Sequence, residues 1–465
     1  MTPYLRSSTI VAGLGAALLG AALLATPAVA ATTATITLNG SSATVSGSNV
    51  TVAGSAVTIT APGSYQIGGT LTNGQVKVDT ATTGTVEIIL SGASITNATS
   101  SALWVANASN VTLTLAAGTS NSLADGATYS SADEPDATLF STADLTIGGT
   151  GSLTVRANHL DGIVSKDDLV IGSGTLTVTA VDDAIRGKDS LTVNGGTISV
   201  TTTSGDGLKS NETEAGKGIV NITNGTITVA VADDGIHGEN ALNISGGTIN
   251  VTKSYEALEA LQVTISGGTS NVVASDDAVN AAEAGINEGA VSTKAFIKVT
   301  GGTVVVNGGT DGFDSNGTLT FAGGTVSAMG SATRSGGEGA LDANGAITFS
   351  GGVTVGAALT SMAVLGQTVP ATGQGWVAPK FSTTYASGTI VHIVSGSTVL
   401  ASYRASKSFK EVVYSSNKIT NGQTYDVYVG GSVSGTATGG IYTGGSVSGA
   451  TKVLTGVTAG QYAGR

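Results

Sequence analysis

The sequence predicts an all-β protein: a right-handed parallel β-helix, a solenoid with three short strands per coil of about 22 residues, followed by a small β-rich C-terminal module. Three observations predict it. A Gly-Gly-Thr or near equivalent recurs with its threonine at Thr175, Thr197, Thr226, Thr248, Thr269, Thr303 and Thr325, at intervals of 22, 29, 22, 21, 34 and 22. An acid follows eight or nine residues later in all but the last repeat, at Asp183, Asp206, Asp234, Glu256, Asp277 and Asp311, with Asp161 opening the series. The composition is that of short strands and tight turns, with 69 glycines, no cysteine, 4% aromatic and 11% charged residues.

Each repeat carries three apolar runs of period two, so each is a short strand with one face turned inward. The first follows the glycine pair (Ile198 and Val200, Ile227 and Val229, Ile249 and Val251, Val304 and Val306). The second follows the acid (Ile185, Leu208, Ile236, Leu258, Val279, Phe313), and the third precedes the next glycine pair (Leu191 and Val193 through Leu319 and Phe321). No coil buries its inner face alone, so stacking must supply the core. The long intervals place insertions at Asn211–Lys217 and around Ala282–Val291, and a third near Ser331–Gly336. The rhythm extends backward to about residue 31, where a strand is expected to cap the open end.

Residues 1–30 read as a signal peptide: Arg6, an apolar run from Ile10 to Leu24, Pro27, then Ala28-Val29-Ala30. The expected organisation is a signal peptide at 1–30, a β-helix at 31–360, a β-rich module at 361–430 and a Gly/Ser-rich tail at 431–465. Gly-Gly-Ser-Val-Ser-Gly occurs twice there, at 430–435 and 444–449. The expected product is a secreted or extracellular monomer, cell-wall associated, with no transmembrane span after cleavage. Loss of Arg6 would take the formal charge from −12 to −13, which disfavours nucleic acid and anionic lipid as partners.

In register, the acids stack on one corner. Asp182, Asp233 and Asp276 double three of them, and three residues beyond the corner runs a second column: Arg186, Lys209, His237, Glu259, Asn280, Asp314 and Asp342. Carboxylates about 5 Å apart repel by roughly 3 kcal/mol at an effective dielectric near 20, so such a column needs bases, solvent or metal. Arg186 and Lys209 offset the early coils; the later companions are acidic. Oxygen clusters at turns suit Ca²⁺, and the candidate ligands are Asp182, Asp183, Asp206, Asp233, Asp234, Glu256, Glu259, Asp276, Asp277, Asp311 and Asp314. The alternative is that the aspartates cap corner N–H groups with no metal. Without cysteine and with scattered histidines (His159, His237, His392), zinc and iron sites are not indicated.

The ordered run from Asp182-Asp183-Ala184-Ile185-Arg186-Gly187 through Gly205-Asp206-Gly207-Leu208-Lys209, Asp233-Asp234-Gly235-Ile236-His237 and Tyr255-Glu256-Ala257-Leu258-Glu259 to Asp276-Asp277-Ala278-Val279-Asn280 resembles a bacterial family of secreted carbohydrate-binding β-helix proteins. The likeness extends from about Ile59 to Gly430. It implies a pectate-lyase-like β-helix that binds Ca²⁺ and plant-type polysaccharide, notably polygalacturonate and cellulose, as a binder rather than a proven enzyme. Ala184, Ala257 and Ala278 stand where many relatives would carry glycine.

The leading expectation is therefore a non-catalytic binder of acidic polysaccharide or cellulose, with Ca²⁺ bridging protein and ligand carboxylates. A polysaccharide lyase is the first alternative, with Lys209 or Arg186 as the base for β-elimination. A hydrolase is weakly supported, because adjacent acids on a strand point to opposite sides. A structural or adhesive surface solenoid is the remaining reading. Trp104 and Trp376 are the only tryptophans, so a flat stacking platform for crystalline cellulose is weakly supported.

Overall fold

The computed structural model describes residues 32–130, 134–287, 289–333, 339–359, 369 and 372–461. The proposed signal segment lies outside them. The described residues form strands and no helix, so none contains a helix long and apolar enough to cross a membrane.

Successive repeats pair in parallel along three ladders. The glycine-pair strands run Thr175–Ala180, Thr197–Thr202, Thr226–Ala230, Thr248–Lys253 and Thr269–Val273, then continue in the second halves of Phe296–Asn307 and Thr318–Met329. All seven threonines lie directly opposite one another. On the acid-following ladder Ile185, Leu208, Ile236, Leu258 and Val279 pair in turn, all fully buried. On the third, Leu191, Val220, Leu242, Val263, Ile297, Leu319 and Ile347 do the same. Like residues stack on like along the interior, so each coil completes its neighbour's core.

Within this long sheet antiparallel pairing occurs only at the ends. Ala34–Gly40 pairs with Ala43–Gly47, and Val50–Ala53 with Ala56–Ile59, where an N-terminal cap was expected. At the other end Phe409–Ser415 lies antiparallel on Ile347–Ala358. Beyond it, six antiparallel strands form a separate sheet: Ile390–Ser395, Thr398–Arg404, Thr424–Val429, Ser432–Thr438, Ile441–Ser446 and Thr451–Thr458. The Gly/Ser-rich segment expected as a weakly structured tail from 431 thus supplies three of its strands, and the expected boundary at 430 runs through the sheet.

The glycine pairs are required by close approach. A Cβ on Gly246 would meet the Thr223 carbonyl oxygen of the preceding coil at 2.1 Å, and Gly247 has φ +81°. Gly246→Ala is expected to cost on the order of 2 kcal/mol by overpacking. Gly216→Ala, in the insertion with nothing within 4 Å of its Cβ, should cost only about 1 kcal/mol, from its left-handed backbone. Chemical denaturation of the two variants checks the difference.

Candidate functional site

The acidic corner forms because a coil leaves a backbone N–H at its turn, and the aspartate of the preceding coil closes it. Asp183 N–H donates to Asp161 Oδ1 at 3.0 Å, Asp206 N–H to Asp183 Oδ1 at 3.0 Å and Asp234 N–H to Asp206 Oδ1 at 2.8 Å. Glu256 N–H donates to Asp234 Oδ1 at 3.4 Å and Asp311 N–H to Asp277 Oδ1 at 2.8 Å. Gly339, which replaces an acid, still donates its N–H to Asp311. Capping therefore engages one oxygen of each of these aspartates. The second oxygen remains for the facing column.

That column is in register as the spacing predicts: Arg186 opposite Lys209, Lys209 opposite His237, His237 opposite Glu259, Glu259 opposite Asn280, and Asn280 opposite Asp314. Its chemistry changes along the axis. Arg186 pairs with Asp161, with Asp136 at 3.1 Å and with Asp183 at 3.5 Å. Lys209 Nζ lies 2.8 Å from Asp206 and 3.3 Å from Asp183. His237 Nδ1 sits between Asp234 Oδ2 at 3.0 Å and Glu259 Oε2 at 2.9 Å. Past His237 the facing positions hold Glu259, Asn280 and Asp314, and no base continues the column.

The protonation equilibria follow this gradient. Burial pushes Asp161 up to about 7 even with Arg186 beside it, and Asp206 to about 6 even with Lys209 beside it. Burial and the Glu259 charge push Glu256 up to about 9. Burial raises Asp277 to about 7, with Asp314 and Asp276 adding to it, and burial with Asp277 raises Asp311 to about 9. Burial also holds Asp314 above the usual carboxylate range. Burial alone would lower His237, yet its bonds to Asp234 and Glu259 raise it to about 11, so it is a cation at neutral pH. Burial is the largest cause throughout, and Glu256 and Asp311, where neighbouring carboxylates add to it, rise furthest.

Oxygens of Asp234, Glu256 and Glu259 lie within 4.8 Å of one another; a second group joins Asp206, Asp234 and His237. The first set is all oxygen, the donor type that hard divalent cations take. Asn280 belongs beside it: its Nδ2 donates to both Glu256 oxygens at 2.9 and 3.0 Å, it is 8% exposed, and its Oδ1 is buried without a hydrogen-bond partner. The other candidates are distributed differently. Asp183 and Asp206 are taken by the bases. Asp277, Asp311 and Asp314 influence one another further along. Asp182, Asp233 and Asp276 lie on the ridge one residue before the corner, outside either convergent group among the described residues.

Residues 53–295 match the family described as "Carbohydrate-binding domain-containing protein", just over half of the chain. The chain belongs to this carbohydrate-binding family. The matched range contains Asp234, Glu256, Glu259 and Asn280 and stops before Asp311. A carbohydrate-binding domain-containing protein of Acetivibrio thermocellus is 34% identical over 126 residues, covering 26% of this chain and 44% of the relative, so the match spans less than half of that protein. A solved polysaccharide lyase-like protein from C. thermocellum, a gadolinium derivative, is 35% identical, covering 47% of this chain and 90% of that one, with a TM-score of 0.46.

Two features of this carbohydrate-binding domain were not read from the sequence. Asp136 supplies a second carboxylate to Arg186. Counting back along the acid column would have missed it, because Ala137 lies opposite Asp161 and Asp136 sits one residue out of that register. His237 acts as a cation bridging two coils, which depends on distances the sequence does not carry.

Proposed function

We propose that this protein is a secreted or cell-surface binder of acidic polysaccharide, polygalacturonate-like, in which Ca²⁺ held by stacked turn carboxylates bridges protein and ligand. The carrying observation is the convergence of Asp234, Glu256 and Glu259 at His237, the last base of the facing column. Beside the set, Asn280 holds Glu256 through its Nδ2 and carries a buried, unpartnered Oδ1, and membership of a carbohydrate-binding family supplies the ligand class. Ca²⁺ would take the place of the proton that burial favours on Glu256, and its remaining coordination positions would take uronate oxygens. Cellulose is the secondary ligand. In this reading the three ladders wind as a right-handed parallel β-helix, the hand that parallel connections almost always take. The chain acts as a monomer outside the cell, against the wall, without nucleic-acid partners.

The lyase alternative needs a base that gives up its proton near neutral pH. Lys209 and Arg186 are both raised above their ordinary values: burial opposes the charge of each, but the carboxylates of Asp183 and Asp206 around Lys209, and of Asp161 around Arg186, outweigh it. Each is thereby held as a fixed cation, which favours a structural role in the ladder. The binding reading is tested by sedimentation with insoluble polygalacturonate. The protein should co-sediment in Ca²⁺ and remain in solution with excess chelator. Binding indifferent to chelator contradicts the bridge, and an unsaturated uronide product absorbing in the ultraviolet would favour the lyase.

A further inference from the structure

From Asp182 to Thr310 the ridge one residue before the corner carries a single aromatic side chain. In register it reads Asp182, Gly205, Asp233, Tyr255, Asp276 and Thr310. Gly205 O accepts from Asp233 N–H, Asp233 O from Tyr255 N–H at 2.8 Å, Tyr255 O from Asp276 N–H at 2.9 Å and Asp276 O from Thr310 N–H at 3.1 Å. Tyr255 is 49% exposed, while the other large hydrophobics exposed to a similar degree are valines, at 52, 273 and 291. A half-exposed aromatic ring contributes little to a core. The Asp276 carboxylate of the next coil is near enough to raise the Tyr255 hydroxyl above its ordinary value. Tyr255 immediately precedes Glu256, one of the three convergent carboxylates, and lies one coil beyond Asp233 and one before Asp276.

We propose that Tyr255 is the sugar-ring platform of the site, stacking on the apolar face of a uronosyl residue whose carboxylate and hydroxyl oxygens are directed to the Asp234–Glu256–Glu259 cluster. The inference rests on the cation-bridged reading above and goes beyond it by assigning how the ring is held. A pyranose presents one face of C–H groups and a rim of oxygens, so an exposed aromatic face next in sequence to a carboxylate of the cluster matches both sides of such a ring. Without the platform, a cation cluster would fix charge but not ring orientation. The platform therefore distinguishes a cyclic uronide from a flexible polyanion with the same carboxylates.

The test compares wild type, Tyr255→Ala and Tyr255→Phe by isothermal titration, first with CaCl₂ alone and then with a defined oligogalacturonide in saturating Ca²⁺. An exposed aromatic stack contributes roughly a tenfold effect at most. Tyr255→Ala should therefore lose about fivefold to tenfold in oligogalacturonide affinity while its Ca²⁺ affinity stays within about twofold of wild type. Tyr255→Phe should keep most of the sugar affinity, because the ring remains. A polyglutamate of similar length should bind wild type and Tyr255→Ala alike. Unchanged sugar affinity in Tyr255→Ala overturns the platform while leaving the bridge intact. A parallel fall in Ca²⁺ affinity overturns it too, by showing that Tyr255 acts on the cation cluster. If wild type takes up Ca²⁺ but no uronide, the functional reading fails and the platform with it.

Discussion

In the absence of divalent cations, the protein is expected to lose stability steadily as pH rises from about 5 to about 9, by several kcal/mol in total. The cause is the buried carboxyls at the cation-poor end of the corner. Glu256 and Asp311 are pushed to about 9, and Glu259 and Asp277 to about 7, burial being the largest cause in each. In the unfolded chain the same groups titrate near 4. Between those limits the folded state binds more protons than the unfolded one, so their stabilising contribution is complete below about pH 4 and is lost as pH passes through the folded values. His237, raised to about 11, acts in the same direction over a higher range. Ca²⁺ binds the deprotonated oxygens and competes with those protons. At a hundredfold excess over its dissociation constant it should restore about 2.7 kcal/mol and flatten the pH dependence. Thermal unfolding across this pH range, with and without CaCl₂, measures both effects. An apo protein whose stability rises with pH would contradict the assignment.

The second large effect is at the other end of the column. Arg186→Met should destabilise the fold by about 3–5 kcal/mol, because it removes the cation from a buried set and leaves the carboxylates of Asp161 and Asp136 facing one another. Adding Asp161→Asn should recover part of the loss, since the amide keeps an acceptor for the Asp183 N–H while shedding the charge. Breaking the exposed pair between Lys452 and Asp426 should cost less than about 1 kcal/mol by comparison. Urea denaturation of the three variants separates the cases. An Arg186→Met protein as stable as wild type would mean that the ladder's charges are compensated by solvent.

Much of this arrangement was legible because the repeat is a register. Once Thr175, Thr197 and Thr226 are aligned, the facing column from Arg186 to Asp314 follows by counting, and the strand pairing agrees at every step. Division of labour within the acids was not legible. Whether an aspartate caps an N–H, meets a base or faces open carboxylates depends on which oxygen points where. So the eleven candidate ligands resolve into bound, bridging and convergent groups only in three dimensions. Composition misled at the C-terminus. The glycines and serines after 430 resemble a linker, yet Ser432–Thr438 pairs with Ile441–Ser446. There a Cβ on Gly445 would meet Ser402 Oγ at 2.1 Å, and one on Gly439 would meet Ser327 Cβ at 2.6 Å. These glycines permit close packing, which composition alone cannot distinguish from flexibility.

The central claim is that the oxygens of Asp234, Glu256 and Glu259 converge on a divalent cation. Calorimetric titration of CaCl₂ into wild type and into the Glu256→Gln/Glu259→Gln double variant tests it most directly. Saturable Ca²⁺ uptake with proton release in wild type, weakened about a hundredfold or more in the variant, is the predicted result. Equal Ca²⁺ binding by the two proteins, or no saturable binding by wild type, would contradict it.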